Sequence, residues 1–105
     1  MDLIFKAFAD ATRRSLLDRL HFRNGQTLGE LCEEMEMSRQ AVSKHLAILE
    51  EAALVIVIWQ GREKLHYLNP LPIQEVYDRW FAKYEEHRTR ALAELKKALA
   101  QHRRE

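Results

Sequence analysis

Apolar positions recur along this chain in more than one rhythm, and each rhythm predicts a different element. From Ser38 to Leu54, Val42, Leu46 and Leu49 fall on one side of a helical wheel, flanked by Ala41 and Ile48. Gln40, Ser43 and Lys44 fall opposite, Arg39 stands at the edge of the polar side in the first turn, and Ser38 has the chemistry of an N-cap. Just upstream, Thr27-Leu28-Gly29-Glu30 is a capping box that opens a helix carrying Leu28, Leu31, Cys32 and Met35 on one face. Downstream the rhythm changes. Val55 to Trp59 is a β-branched run, Gln60-Gly61-Arg62-Glu63 is a turn, and Lys64 to Leu68 alternates as a returning strand.

Two short helices that meet near Met37 and Ser38, followed by a hairpin, predict a mainly α fold of the winged helix-turn-helix type. The helix-turn-helix spans about residues 27–53 and the two-stranded β wing about 55–68. Leu68-Asn69-Pro70-Leu71-Pro72 ends the wing and starts a C-terminal helical segment at about 71–101. There Ile73, Val76, Tyr77, Trp80, Phe81 and Tyr84 form a broad apolar stripe, which His87 and Arg88 interrupt before it resumes as Ala91, Leu92, Leu95 and Leu99. This pattern predicts about 30 residues of nearly continuous helix, ~45 Å long if straight.

A second apolar strip, Leu3, Ile4, Phe5 and Phe8, lies at the N-terminus. One small core cannot cover both strips. The economical arrangement is a homodimer in which Leu3, Ile4, Phe5 and Phe8 pack against Trp80, Phe81 and Tyr84 of a second copy, so that both ends of the chain are dimerisation helices. The Ala91 to Leu99 segment is open to three readings: it extends the dimer, docks a partner, or projects as a charged tail ending His102-Arg103-Arg104-Glu105.

The polar face from Ser38 to Lys44 carries short or fork-shaped donors suited to a major groove, where arginine pairs with guanine, glutamine with adenine and serine with either. Arg62 and Lys64 sit beside Gly61 at the hairpin tip, placed to hold the DNA backbone or the adjacent minor groove. The expected DNA-binding residues are therefore Ser38, Arg39, Gln40, Ser43, Lys44, Arg62 and Lys64, with double-stranded DNA as partner. His45 lies toward the apolar flank and is expected to pack or to support the backbone.

Composition narrows the alternatives. A chain of 105 residues is expected to be one domain, with little room for an enzyme cleft. No Ser/His/Asp order, phosphate-binding glycine loop or carboxylate pair stands out, so no enzyme activity is expected. The net charge of +1 is weak for a nucleic-acid binder, but acidic residues gather at Glu30 to Glu36 and basic ones at Arg39, Lys44, Arg62 and Lys64. The absence of a transmembrane run, secretory signal or cysteine framework predicts a cytoplasmic protein with no membrane partner. Cys32, the single cysteine, lies on an apolar helix face as a small hydrophobe, and His21, His66, His87 and His102 have no common helical spacing. No metal or cofactor is expected.

Three separated motifs, Phe8-Ala9-Asp10-Ala11-Thr12-Arg13-Arg14-Ser15-Leu16-Leu17, the Ser38 to Leu54 segment and the Gly61 wing, occur in the order and spacing of one family. Over roughly its first 80 residues the chain resembles the ArsR/SmtB family of bacterial transcriptional regulators. The resemblance implies a homodimeric winged-helix repressor on an operator of two inverted half-sites, released in many members when an effector binds. It also places the groove-facing positions on Arg39, Gln40, Ser43 and Lys44. The family's metal-sensing motifs are missing: there is one cysteine, and Asp78 is followed by Arg79 and Trp80 with no histidine two residues on. The effector is therefore unknown.

Two departures from the family pattern carry physical weight. Ala11 replaces a frequent proline at a first helical position, where Asp10 still caps. Ala53 replaces a frequent glycine after the recognition helix, and at a left-handed site alanine costs on the order of 1 kcal/mol. The alternative readings are a protein-interaction module on the same scaffold, working through the aromatic helix or the C-terminal extension, and a metal- or redox-responsive member of the family.

Overall fold

The computed structural model describes residues 1–104; Glu105, the end of the charged tail, lies outside the described residues. Two compact units are distinguished, residues 1–74 and the stretch that begins at Glu75. In chain order the first holds α1 (Asp2–Phe8), α2 (Ala11–Phe22), α3 (Leu28–Met35), α4 (Arg39–Glu51), β1 (Val55–Gln60) and β2 (Glu63–Leu68). Helix α5 (Leu71–Val76) follows the wing. This is a mainly helical winged helix-turn-helix.

Local chemistry explains where the helices start. The Asp10 carboxylate accepts from the backbone N–H of Thr12 at 2.8 Å and of Arg13 at 3.1 Å and so opens α2. Thr27 and Glu30 form a reciprocal capping box at α3, with Glu30 N to Thr27 Oγ1 at 3.2 Å and Thr27 N to Glu30 Oε1 at 3.1 Å. Ser38 accepts from Ala41 N at 3.2 Å and opens α4.

The exit of α4 is a Schellman motif. Leu54 N–H reaches Leu49 O and Ala53 N–H reaches Glu50 O, both at 2.9 Å, with Leu49 and Leu54 fully buried. Ala53 sits at φ +59, in the left-handed region, where the expected cost to alanine applies. The sequence reading missed a second such residue: Glu36, in the turn between α3 and α4, has φ +53.

The core of this unit gathers Leu16, Leu17 and Leu20 of α2, Leu31 of α3, Val42, Leu46 and Leu49 of α4, and Leu54 and Val55 where the wing begins. From α1, Ile4 and Ala7 are buried too. That corrects one expectation. Ile4 turns inward, four residues from Phe8 and three from Ala7 on the same face, so it belongs to its own subunit's core and not to the exposed N-terminal strip.

Strands β1 and β2 pair antiparallel from Val55↔Leu68 to Gln60↔Glu63, leaving Gly61 and Arg62 as a two-residue loop. Gly61 has φ +62, as the first central residue of a tight hairpin turn often must. On its other edge β2 is held by the connection between α2 and α3: His66 N donates to Gln26 O at 2.8 Å, and Gln26 N returns a bond to His66 O at 3.2 Å. The His66 side chain is buried and its Nδ1 lies 2.9 Å from the same Gln26 carbonyl, which can only accept, so Nδ1 carries the proton. Asn69 closes the wing, donating through Nδ2 to Ala53 O and accepting at Oδ1 from Leu71 N.

In the second unit the expected nearly continuous helix forms, with two irregularities. A π-helical turn occupies Tyr77–Phe81, α6 covers Ala82–Glu86, and the chain breaks at His87 (φ −114, ψ 13) before α7, Arg88–Arg104. A π turn takes up an extra residue and so shifts the stripe around the axis. The Tyr77 hydroxyl donates to the Glu85 carboxylate across this segment, which raises the tyrosine pKa. Leu92, Leu95 and Leu99 of α7 are all exposed. Among the described residues no helix is long and apolar enough to cross a membrane.

Two measurements follow from the caps and the left-handed sites. Ala53→Gly is expected to raise the midpoint of urea unfolding without changing its slope, a gain of about 0.5 to 1 kcal/mol. The Asp10 and Glu30 carboxylates are held below their ordinary pKa first by backbone N–H donors, of Arg13 and Thr27 respectively. A depressed carboxylate stabilises the fold above its unfolded pKa and loses that contribution as the pH falls through the lowered value. Melting temperature should therefore hold from neutral pH down to about 5 and fall below about 4. In Asp10→Asn/Glu30→Gln it should start lower and fall less steeply.

Candidate nucleic-acid interface

A helix used for recognition needs one face fixed and the other free. In α4 Val42, Leu46 and Leu49 are buried, while Ser38, Arg39, Gln40, Ser43 and Lys44 are exposed. Helix α3 packs against α4 as a brace. The Arg39 guanidinium lies close over the first turn of α3, with Nη2 3.4 Å from where a Cβ on Gly29 would sit.

The wing completes this surface. Arg62 is exposed at the hairpin tip, and Lys64 is exposed one step down β2. Lys64 and His66 line a cleft of about 80 Å³ together with Leu28 of α3 and Ser43, Leu46 and Glu50 of α4. Ser43 and Lys64, residues that the sequence placed in separate motifs, thus share one cleft. The polar face of α4 and a basic strand end stand side by side.

His45 occupies the other flank of α4, half-buried as expected for a packing residue. Arg13 Nη1 lies 3.3 Å from its Nδ1, and the Asp10 carboxylate lies 3.9 Å from the same nitrogen. Arg13 also donates from Nε to Ala7 O and from Nη2 to Lys6 O, both at 2.9 Å, the carbonyls at the end of α1. One guanidinium therefore joins the exit of α1, the start of α2 and the middle of α4. Sequence reasoning did not find this junction. The signal in the sequence is the Asp10 to Arg14 motif itself, whose charged residues locally suggest only a cap.

Of the residues expected at a subunit interface, Leu3 and Phe5 are exposed on α1 and Phe8 is half-buried. Trp80, Phe81 and Tyr84 are exposed in the second unit. Lys83 Nζ lies 5.7 Å from the Trp80 ring centroid and 5.3 Å from that of Tyr84, and Arg79 lies 5.4 Å from Trp80. Cys32 is half-buried on α3. No group of three or more histidine, cysteine or acidic side chains able to hold a metal occurs among the described residues.

The comparisons with known proteins fit this geometry. Residues 8–58 match the model of a helix-turn-helix domain. The chain is 39% identical over 85 residues to the uncharacterized HTH-type transcriptional regulator YuzN of Bacillus subtilis, covering 75% of this chain and 92% of that one. It is 33% identical over 75 residues to the transcriptional repressor SdpR of the same organism, covering 71% and 82%. Among solved structures, the crystal structure of an ArsR family transcriptional regulator superposes with a TM-score of 0.68 at 33% identity, covering 81% of this chain and 86% of the other. A capped helix with a free polar face, a brace, a basic wing and these relatives lead to one conclusion: the chain belongs to the ArsR family of winged-helix, DNA-binding transcriptional regulators.

Proposed function

We propose that the protein is a homodimeric transcriptional repressor that inserts α4 into the major groove of an inverted-repeat operator and holds the flanking backbone with its wing. The observation that carries this reading is the exposed row Arg39, Gln40, Ser43 and Lys44 on a helix whose opposite face is buried, with Lys64 across a shared cleft from Ser43. Repression is favoured because one relative, SdpR, is named a repressor. The homodimer is favoured by apolar side chains left exposed at both ends of the chain, Leu3 and Phe5 at one and Trp80, Phe81 and Tyr84 at the other.

The division of labour within the surface is chemical. Arg39 and Gln40 are fork-shaped and can each meet a base edge with two hydrogen bonds, so they set base preference. Ser38 is engaged in capping; with the free N–H groups of the first turn it positions a phosphate. Arg62 and Lys64 act on backbone charge, which adds affinity without sequence preference.

Selection from a random duplex library is expected to return inverted half-sites about 34 to 36 Å apart, one helical turn; a single unpaired half-site would remove the dimer. Against the selected duplex, Arg39→Ala or Gln40→Ala should cost about 1 to 3 kcal/mol and relax one base position. Arg62→Ala should weaken all duplexes alike and lower the salt slope by about one. If all three variants bind as the parent does across a salt titration, the surface is misassigned.

A further inference from the structure

The wing carries one aromatic ring that the reading above leaves without a role. Trp59 is the second-last residue of β1 and the most exposed large apolar side chain of the hairpin, at 64%. An indole on a hairpin tip gains nothing from water. Its ring makes no cation–π contact among the described residues, unlike Trp80.

The strand register fixes which way it faces. Trp59 pairs directly with Lys64, and directly paired residues in an antiparallel ladder project to the same side. That is the side on which Lys64 and His66 line the cleft with Ser43 and Glu50 of α4. Ile56 and Ile58, the other exposed apolar residues of β1, alternate onto the opposite side and form a separate patch. Trp59 therefore stands on the recognition-helix side of the wing, level with Lys64 at the tip end of the cleft. Lys64 lies across from it and Arg62 three residues on along the chain.

We infer that Trp59 is a DNA-contacting residue that packs its indole against the sugar–phosphate backbone between the groove read by α4 and the point held by the wing tip. This rests on the assignment of α4 and the wing as the DNA surface. A duplex presents at its edge an alternation of anionic phosphates and apolar deoxyribose faces. A flat apolar ring with one N–H donor, with Lys64 across from it and Arg62 in the adjoining turn, matches that alternation in charge and in polarity. The flanking cations disfavour an apolar protein partner for the same ring, because their charges would be stripped of water with no anion to meet them. Duplex bases are already stacked on one another, so the ring meets sugar edges and not base faces.

The contact differs from the rest of the wing in being uncharged, and that separates it experimentally. With a duplex selected as above, carrying a dye, anisotropy titrations over a salt series would be run on the full chain and on Trp59→Ala and Trp59→Phe. Trp59→Ala is expected to weaken binding about ten-fold at every salt concentration with the salt slope unchanged. Trp59→Phe should recover most of the loss. In fluorotryptophan-labelled protein, the fluorine resonance that disappears in Trp59→Phe should shift when the duplex is added. The inference is overturned if Trp59→Ala binds within about two-fold of the parent, or if that resonance stays in place while the dye reports bound duplex. If the parent chain itself binds no duplex, the reading of α4 and the wing falls first and the role of Trp59 with it.

Discussion

The outward faces of α4 and the wing depend on how α4 is held from inside. Val42, Leu46 and Leu49 sink into the leucines of α2 and α3, and the chain leaves α4 through a turn that buries Leu54 immediately afterwards. Recognition helix and wing are thereby fixed by one continuous apolar anchor. A shift of α4 along its axis would withdraw Leu49 from Leu54 and move the wing's first residue with it. The polar face needs no packing of its own, which leaves Arg39, Gln40, Ser43 and Lys44 free to answer to a ligand.

Polar junctions supply what apolar packing cannot, namely direction. Arg13 ties the last carbonyls of α1 to His45 in the middle of α4, and Gln26 ties the α2–α3 connection to the middle of β2. Apolar surfaces of similar shape can slide past one another at modest cost, whereas a guanidinium held by two carbonyls and an imidazole has one good position. The first junction lies between the exposed residues of α1 and α4.

What could be read from the sequence divides along the range of the interaction. The Thr27/Glu30 capping box, the Ser38 and Asp10 caps, the Gly61 turn and the two-sided α4 are all decided by residues within a few positions of each other. The left-handed Ala53 was legible for a related reason, since glycine is the usual residue there in the family the motifs resembled. Glu36 gave no such sign; its positive φ comes from the need to turn between two helices that are both already fixed by their own packing. The Arg13–His45 contact joins residues 32 apart and has no local signature. Ile4 was misplaced because an apolar strip of four residues does not say which of its members turns inward. The π turn at Tyr77–Phe81 was illegible because its apolar spacing resembles that of an ordinary helix.

The attachment of the wing has a mechanical side. Bonded to Gln26 at His66 and closed at its base by Asn69, the hairpin is free only over the few residues from Ile58 to Leu65. It behaves as a short cantilever, clamped close to its load. A beam so short bends little under a force at its end, so the backbone that carries Arg62 and Lys64 is already placed, and the ordering left to be done lies in their side chains.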